Sequence, residues 1–339
     1  MRALRLAEPS DCTSGLILLG LAMIQEATAP RSDPPAPSYA IMGRACFTST
    51  VPLMIGHRVM GHSRLFTGDI AEGRAHYDRS LALYDRAELP LMTRFGSVDS
   101  RVSALCFRSQ SLWMLGYPKS ALADAVQAMS YSRAIGHAVT LINTLCLSSL
   151  TNVFCGNYAT ARAELTEGIA LSGERSALFW KAQATATLGV LSALMGSAAD
   201  AVNMIDDGLA MWRSTEGTAR VPFYMSYLAK AHAMLGRFDE AQCYIDQAIS
   251  TMEVTGERVW TAEVHRLAGE IVLASPCPDA GKAKAYFERA LAVSRAQQAK
   301  SWELRAATST ARLWRDQGKS QQANCSLRCT AGLARASIA

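Results

Sequence analysis

The chain has 339 residues, 50% of them apolar and 19% charged, with a net charge of +5. That length exceeds what one small core needs and allows either two globular domains or a single extended array. The modest charge, spread along the chain, does not by itself point to nucleic acid, and the abundance of alanine and leucine favours helices over a sheet-rich fold.

Residues 1–51 lack the pattern that organises the rest of the chain. The cluster Pro30, Pro34, Pro35 and Pro37 suits a linker and predicts a poorly ordered extension, with one loose helix over 16–24. The apolar residues 15–24 follow Arg2 and Arg5 as in a short signal sequence, but Glu8 and Asp11 interrupt the basic region. No apolar stretch reaches the length of a membrane span. The cysteines number nine, an odd count without Cys-x-x-Cys spacing, which points to a reducing cytoplasm.

From residue 52 to 323 the sequence repeats. Glycines stand at Gly68, Gly116, Gly156, Gly196, Gly236 and Gly318, with Pro278 in the one missing slot; three successive intervals are 40 residues. Each punctuator opens a similar segment, such as GDIAEGRAHYDRSLALYD, GYPKSALADAVQAMSYSR and GRFDEAQCYIDQAISTME. Small residues recur at fixed offsets: Gly73, Ala121, Ala161, Ala201, Ala241 and Ala283 five positions on, Ser80, Ala128, Gly168, Gly208, Ala248 and Ala290 twelve on, and Gly61, Ser109, Ser149, Gly189, Ala229 and Ala311 seven before. Small side chains at matching points on two helices let the paired backbones approach, and glycine in a helix interior costs about 0.5–1 kcal/mol relative to alanine. Gly61, Gly168, Gly189 and Gly208 therefore predict close packing.

Helical apolar spacing marks the first helix of successive pairs over 102–115, 141–155, 179–195, 222–235, 260–274 and 301–317. A single pair cannot bury its apolar face alone, so the units must stack. The expected fold is all-α: a tetratricopeptide-like α-solenoid of about seven helix–turn–helix repeats with a period near 40 residues, its concave wall lined by first helices. The period exceeds the usual 34 of that repeat class.

Residues 52–323 resemble the C-terminal tetratricopeptide region of bacterial class III adenylate/guanylate cyclases fused to an AAA-type ATPase. The phrases that carry the resemblance are IGHRVMGHSRLFTGDIAEGRAHYDRSLALYD, RVSALCFRSQSLWMLGYPKSALADA, VPFYMSYLAKAHAMLGRFDEA and AEVHRLAGEIVLASPCPDAGKAKAYFERALAVSRAQQAKSWELRAATSTARLWRDQGK. The resemblance implies a region that serves sensing, assembly or autoinhibition, and relates the chain to signal transduction. The cyclase and ATPase domains that precede such repeats are absent. Gly318-Lys319-Ser320 is only part of a phosphate-binding loop, because Leu313 stands where its first glycine is needed. After Ala323 the resembled region continues Glu-Leu-Leu-Ala-Pro-Val-Tyr-Gly-Trp, whereas this chain reads Asn324-Cys325-Ser326-Leu327-Arg328-Cys329-Thr330-Ala331-Gly332. Removing the first base from GAA CTG CTC GCT CCG GTG TAC GGC TGG gives codons for that second phrase, so residues 324–339 read as a frameshifted tail, which sequencing the gene would check.

The residues suited to chemistry form no recognisable site. His57 and His62 are five apart and point to different faces of a helix, so neither they nor His265 beside Glu263 suggest a metal. No nucleophile elbow or strand context is present, and neither cofactor, metal nor enzymatic activity is expected. Trp113, Trp180, Trp212, Trp260, Trp302 and Trp314 lie at helical spacing in apolar faces, which favours packing over a ligand cage.

The best candidate surface is the concave groove. Positions 13, 10, 6 and 3 before each turn place Arg58, His62, Gln110, Trp113, Asn143, Gln183, Lys230, His265, Arg305, Arg312 and Arg315 there, donors without carboxylates. Such a groove suits an acidic peptide or a C-terminal carboxylate, although the plainer reading is a solvated polar wall. The expected function is a non-catalytic protein-interaction or regulatory scaffold that binds a protein or peptide, including further copies of itself, with no nucleic acid or membrane partner. The alternatives are a small-molecule sensor with a pocket at Trp113, Trp180 or Trp260, and a non-functional remnant of a truncated cyclase gene.

Overall fold

The computed structural model describes residues 50–84, 98–215, 219–319 and 321–322. The expectations for residues 1–49 and for the tail 324–339 lie outside the described residues. Among the described residues thirteen helices follow one another: α1 (Thr50–Thr67), α2 (Ile70–Tyr84), α3 (Ser100–Met114), α4 (Pro118–Ile135), α5 (Ala138–Phe154), α6 (Tyr158–Glu174), α7 (Leu178–Leu194), α8 (Ala198–Arg213), α9 (Val221–Met234), α10 (Phe238–Thr255), α11 (Thr261–Ala274), α12 (Ala280–Ala296) and α13 (Lys300–Asp316). No strand occurs among the described residues. The protein is an all-α solenoid of antiparallel helical hairpins.

The turns explain the glycine beat. Each of Gly68, Gly116, Gly156, Gly196, Gly236 and Gly318 has φ between 76° and 96°, a left-handed backbone that a side chain disfavours. In the slot of Pro278 the chain instead leaves α11 in an extended conformation at Ser275 and re-enters through Asp279, whose side chain accepts the Lys282 N–H at 2.9 Å. That turn is two residues longer. A Cβ on Gly61 would meet Tyr77 and one on Gly189 would meet Ile205, partners 16 apart, whereas Gly269 meets Phe287, 18 apart. The small residue of this repeat is therefore Gly269, which the fixed offset of seven does not reach.

Close packing holds at three of the four glycines singled out by the sequence. A Cβ on Gly208 would lie 2.7 Å from the Ala186 backbone nitrogen, and one on Gly189 would lie 2.6 Å from Ile205. A Cβ on Gly61 would lie 2.6 Å from the Tyr77 ring. Gly168 is different: its nearest neighbour would be Leu145 Cβ at 3.4 Å, an ordinary contact.

The odd-numbered first helices form the inner layer. Each packs on the next first helix as well as on its own partner, whereas the second helices pack on first helices. This is why α5, with Ile142, Leu145, Cys146, Leu147 and Leu150 almost wholly buried, is buried on nearly every side. The superhelix also closes on itself. The backbone N–H groups of Arg258 and Val259 donate to the Phe66 carbonyl at 2.8 and 3.3 Å, and Ser301 Oγ donates to the Trp113 carbonyl. The first pair thus meets the loop before α11, and α3 meets α13.

Candidate functional site

Closure fills the middle of the superhelix with aromatic rings from the first helices and their entry turns. Trp113 stacks on Phe154 at 4.4 Å and meets the edge of Trp302 at 4.7 Å; Phe223 lies 4.6 Å from Trp260, and Phe154 lies 5.4 Å from Trp302. Such pairs contribute about 0.5–1.5 kcal/mol each beyond their burial. The concave wall expected as an open groove is consequently a packed interior over much of its length, and Trp113 is part of that packing.

Two polar centres flank these rings. The first lies where α1, α2 and α3 meet the loop before α9. Its centre is Arg220, 2% exposed, whose guanidinium sits 5.5–5.7 Å from the rings of Phe66, Phe107 and Trp260. Arg220 Nη2 donates to Gln110 Oε1 at 3.0 Å, while Nη1 is buried without a partner. Its backbone is left-handed, φ 68°, which costs a residue with a side chain roughly 1–2 kcal/mol. Glu257 holds this conformation: both carboxylate oxygens accept the Arg220 N–H at 3.0 and 3.1 Å, and Oε1 also accepts Trp260 Nε1–H at 2.5 Å. Burial pushes the Glu257 carboxyl up to about 7, only partly offset by those donors and by the guanidinium charge.

The rest of the first centre comes from the first pair. The His62 ring lies 4.0 Å from Phe107 and 5.6 Å from Tyr77. Burial, then the charges of Arg58 and Arg220, hold the His62 imidazole well below its usual range, so it is neutral at pH 7. Arg58 Nε, His62 Nε2 and Tyr77 Oη are all buried and without hydrogen-bond partners. Among the described residues, no carboxylate lies within ion-pair distance of Arg220 or Arg58.

The second centre, in the last repeats, is balanced. Glu263 is 1% exposed and accepts from Arg266 Nε at 2.7 Å, Arg266 Nη2 at 2.8 Å and Tyr227 Oη at 2.8 Å; Arg305 Nη2 lies 3.2 Å away. Burial alone would raise its carboxyl, but the two guanidinium charges outweigh that and hold it at about 2. Glu270 takes the remaining side of Arg266 at 2.6 Å and accepts from Ser309 at 2.8 Å. The expectation of an interior without carboxylates is thus corrected: Glu257 and Glu263 both point inward, from positions that the concave-wall register does not include.

The predicted wall residues separate into groups. Arg58, His62 and Gln110 meet in the first centre, and Arg305 belongs to the second. Asn143 and Gln183 are 3% and 2% exposed, and each has one buried atom without a partner, Oδ1 and Nε2 respectively. Lys230 is half-buried, His265 lies against Tyr286, and Arg312 and Arg315 are exposed on the outside of the last repeat. Trp113 also lines a half-open cleft of about 370 Å³ with Phe154, Tyr158, Leu304 and Arg305, at the seam where α3 meets α13. Sequence reasoning missed Arg220, Glu257 and Tyr77. The first two lie in inter-pair turns outside the helical register, and Tyr77 sits on a second helix. Among the described residues no group of three His, Cys, Asp or Glu could hold a metal, and no helix is long and apolar enough to cross a membrane.

The geometry matches known repeat proteins. A tetratricopeptide repeat family profile matches residues 222–242, which span α9, its turn and the start of α10. An uncharacterized protein of Rhizobium meliloti (strain 1021) is 26% identical over 215 residues, covering 61% of this chain; the chain spans only 20% of that relative's length. Among solved structures, a Rap protein complexed with competence and sporulation factor aligns with a TM-score of 0.69 at 10% identity, over 98% of this chain and 89% of its own. The Rap conjugation gene regulator of plasmid pLS20, in complex with the Phr* peptide, gives 0.64 at 11% identity over 98% and 86%. The apo quorum sensor NprR from B. thuringiensis gives 0.55 at 14% over 94% and 86%. At these identities the likeness establishes the fold: a tetratricopeptide-like solenoid that extends across the described chain.

Proposed function

We propose that this chain is a non-catalytic regulatory scaffold that binds a peptide or protein segment at the inner face of its solenoid. The observation that carries this reading is the seam between α3 and α13. There a cleft of about 370 Å³ combines the Trp113, Phe154 and Tyr158 rings with the Arg305 charge, beside polar centres buried in the same interior. An apolar slot with a few fixed charges suits a short segment with one or two anchoring side chains. The Rap structures in complex with competence and sporulation factor and with the Phr* peptide have this fold and support the same reading. The resemblance to cyclase–ATPase repeat regions adds a cytoplasmic signalling context. The match makes up 20% of the Rhizobium meliloti relative's length, which is consistent with such repeats serving larger proteins.

The test is calorimetric titration with peptides selected from a random library against the chain. Leu304 is 37% exposed and lines the cleft, so Leu304→Asp leaves the core intact and places a carboxylate in the slot. Binding should fall at least tenfold in that variant; equal binding, or a library that yields no ligand, overturns the proposal. The same cleft favours a second reading, a small aromatic or amphipathic metabolite held by Trp113 and Phe154. A thermal-shift screen of metabolites separates the two, since a ligand raises apparent stability by mass action.

A further inference from the structure

We infer that the first polar centre is a carboxylate-binding slot, in which Arg220, Arg58 and Tyr77 receive an acidic group brought in by the ligand. The inference deepens the scaffold reading above and rests on it only for the peptide arm of its test.

Four observations carry it. Arg220 is 2% exposed, its Nη1 has no acceptor, and no carboxylate of the described residues pairs with it. Burying an ion without its counter-charge is among the costlier arrangements in a protein. Secondly, the backbone that aims this side chain inward is held in a left-handed conformation by both oxygens of Glu257. Glu257 thereby spends its acceptors on backbone and indole N–H groups, and its charge reaches the guanidinium only from a distance, without accepting from it. Thirdly, His62 and Tyr77 lie against the same Phe107 ring that Arg220 faces, the Arg58 charge acts on both, and Arg58 Nε, His62 Nε2 and Tyr77 Oη are buried and unpartnered. Tyr77 is fully buried, and a phenol hydroxyl in such a place ordinarily finds a partner. Fourthly, the donors match one anion: the open Arg220 Nη1, a second guanidinium nitrogen and a hydroxyl all donate hydrogen bonds, which a carboxylate accepts through two oxygens.

The slot lies where the first pair touches the loop before α9, so the acid enters when the superhelix loosens and is enclosed when it closes. Phe66 joins these two events. Its carbonyl accepts from Arg258 and Val259 at the closure, and its ring faces Arg220.

The experiment uses the full chain and two probes: succinate as a free small acid, and a random peptide library offered with free C-terminal carboxylates or as C-terminal amides. Melting temperature and calorimetry are read on wild type, Tyr77→Phe and Arg220→Gln. The expected result is that succinate or the free-acid peptides raise the melting temperature and that Tyr77→Phe weakens this binding about tenfold without lowering the ligand-free melting temperature. Losing a charge-assisted hydrogen bond has an effect of that order. Arg220→Gln should abolish binding, and Tyr77→Phe keeps the test valid if Arg220→Gln fails to fold. Binding to succinate alone upholds the slot while removing the peptide scaffold reading. Peptides that bind equally as acids and amides, with Tyr77→Phe matching wild type, uphold the scaffold and overturn the slot. No response to either probe overturns the slot as well.

Discussion

Arg266 and Arg220 are both buried arginines in the interior of one solenoid, and their surroundings are opposite. Arg266 shares Glu263 with Arg305 and has Glu270 on its other side, so the charges at this centre are compensated. Arg220 donates to a neutral amide and faces three aromatic rings. A fold that only needed to stay closed would use the first arrangement twice. The difference teaches that one centre fastens the last repeats together, while the other keeps its donors for something else.

The largest effect should come from breaking the balanced centre. Glu263→Gln leaves Arg266 and Arg305 facing a neutral amide in a buried position, and the expected loss is about 3–5 kcal/mol by urea denaturation. The carboxyl is held at about 2 in the folded protein, against an ordinary value of 4.5. Its contribution is therefore fully present above pH 4.5 and lost as pH falls through 2. A loss below about 1 kcal/mol would mean that the centre contributes little to closure.

The pH dependence of the other carboxylate runs the other way. Glu257 is raised to about 7 by burial, so the folded state favours its protonated form. Its contribution is present below pH 4.5 and disappears as pH rises through 7, at about 1.4 kcal/mol per unit of pH across that window. The histidines complicate a raw curve, because His62 and His265 are depressed by burial and oppose folding as they charge on acidification. The difference between wild type and Glu257→Gln isolates the effect. Stability relative to that variant should fall steadily from pH 4.5 to 7.5, and a flat difference would show that Glu257 is ionised throughout.

Much of the fold was legible in the sequence because its cause is local. A left-handed turn glycine and small residues at fixed offsets recur in every pair but the one that turns at Pro278, so the helical hairpins could be counted without coordinates. What could not be read was how far the array curls. Contacts such as Ser301 with Trp113 or Arg220 with Gln110 join residues 188 and 110 positions apart, and no periodicity encodes them. Curling turned an expected groove into a packed interior, buried Gln110 and Asn143, and brought in Arg220 and Glu257 from turns. Nor does residue type alone tell which small residues are indispensable. Gly208→Ala would force a methyl to within 2.7 Å of the Ala186 backbone nitrogen, an overpacking expected to cost about 1–3 kcal/mol. Gly168→Ala meets nothing closer than 3.4 Å and should be neutral or stabilising by up to about 1 kcal/mol. Thermal melts of the two variants would show whether the repeat or its local fit decides.

The smallest effect, and the sharpest contrast with Glu263, is expected at Arg220 itself. Replacing one member of a paired buried charge strands its partner, but no carboxylate accepts a hydrogen bond from the Arg220 guanidinium, and Glu257, whose carboxyl that charge lowers, can take up a proton when the charge is removed. Arg220→Met removes an uncompensated ion and keeps an apolar stem among Phe66, Phe107 and Trp260. The hydrogen bond to Gln110 is lost, at about 0.5–1.5 kcal/mol, and the relief of burying a bare charge offsets it. Glu257 still accepts the backbone N–H at position 220, so the left-handed turn survives. The ligand-free variant should therefore fall within about 1 kcal/mol of wild type in urea denaturation, well below the expected cost of Glu263→Gln. A cost of 3 kcal/mol or more would mean that Arg220 is a structural fastening like Arg266, and the two halves of the interior would then differ in wiring but not in purpose.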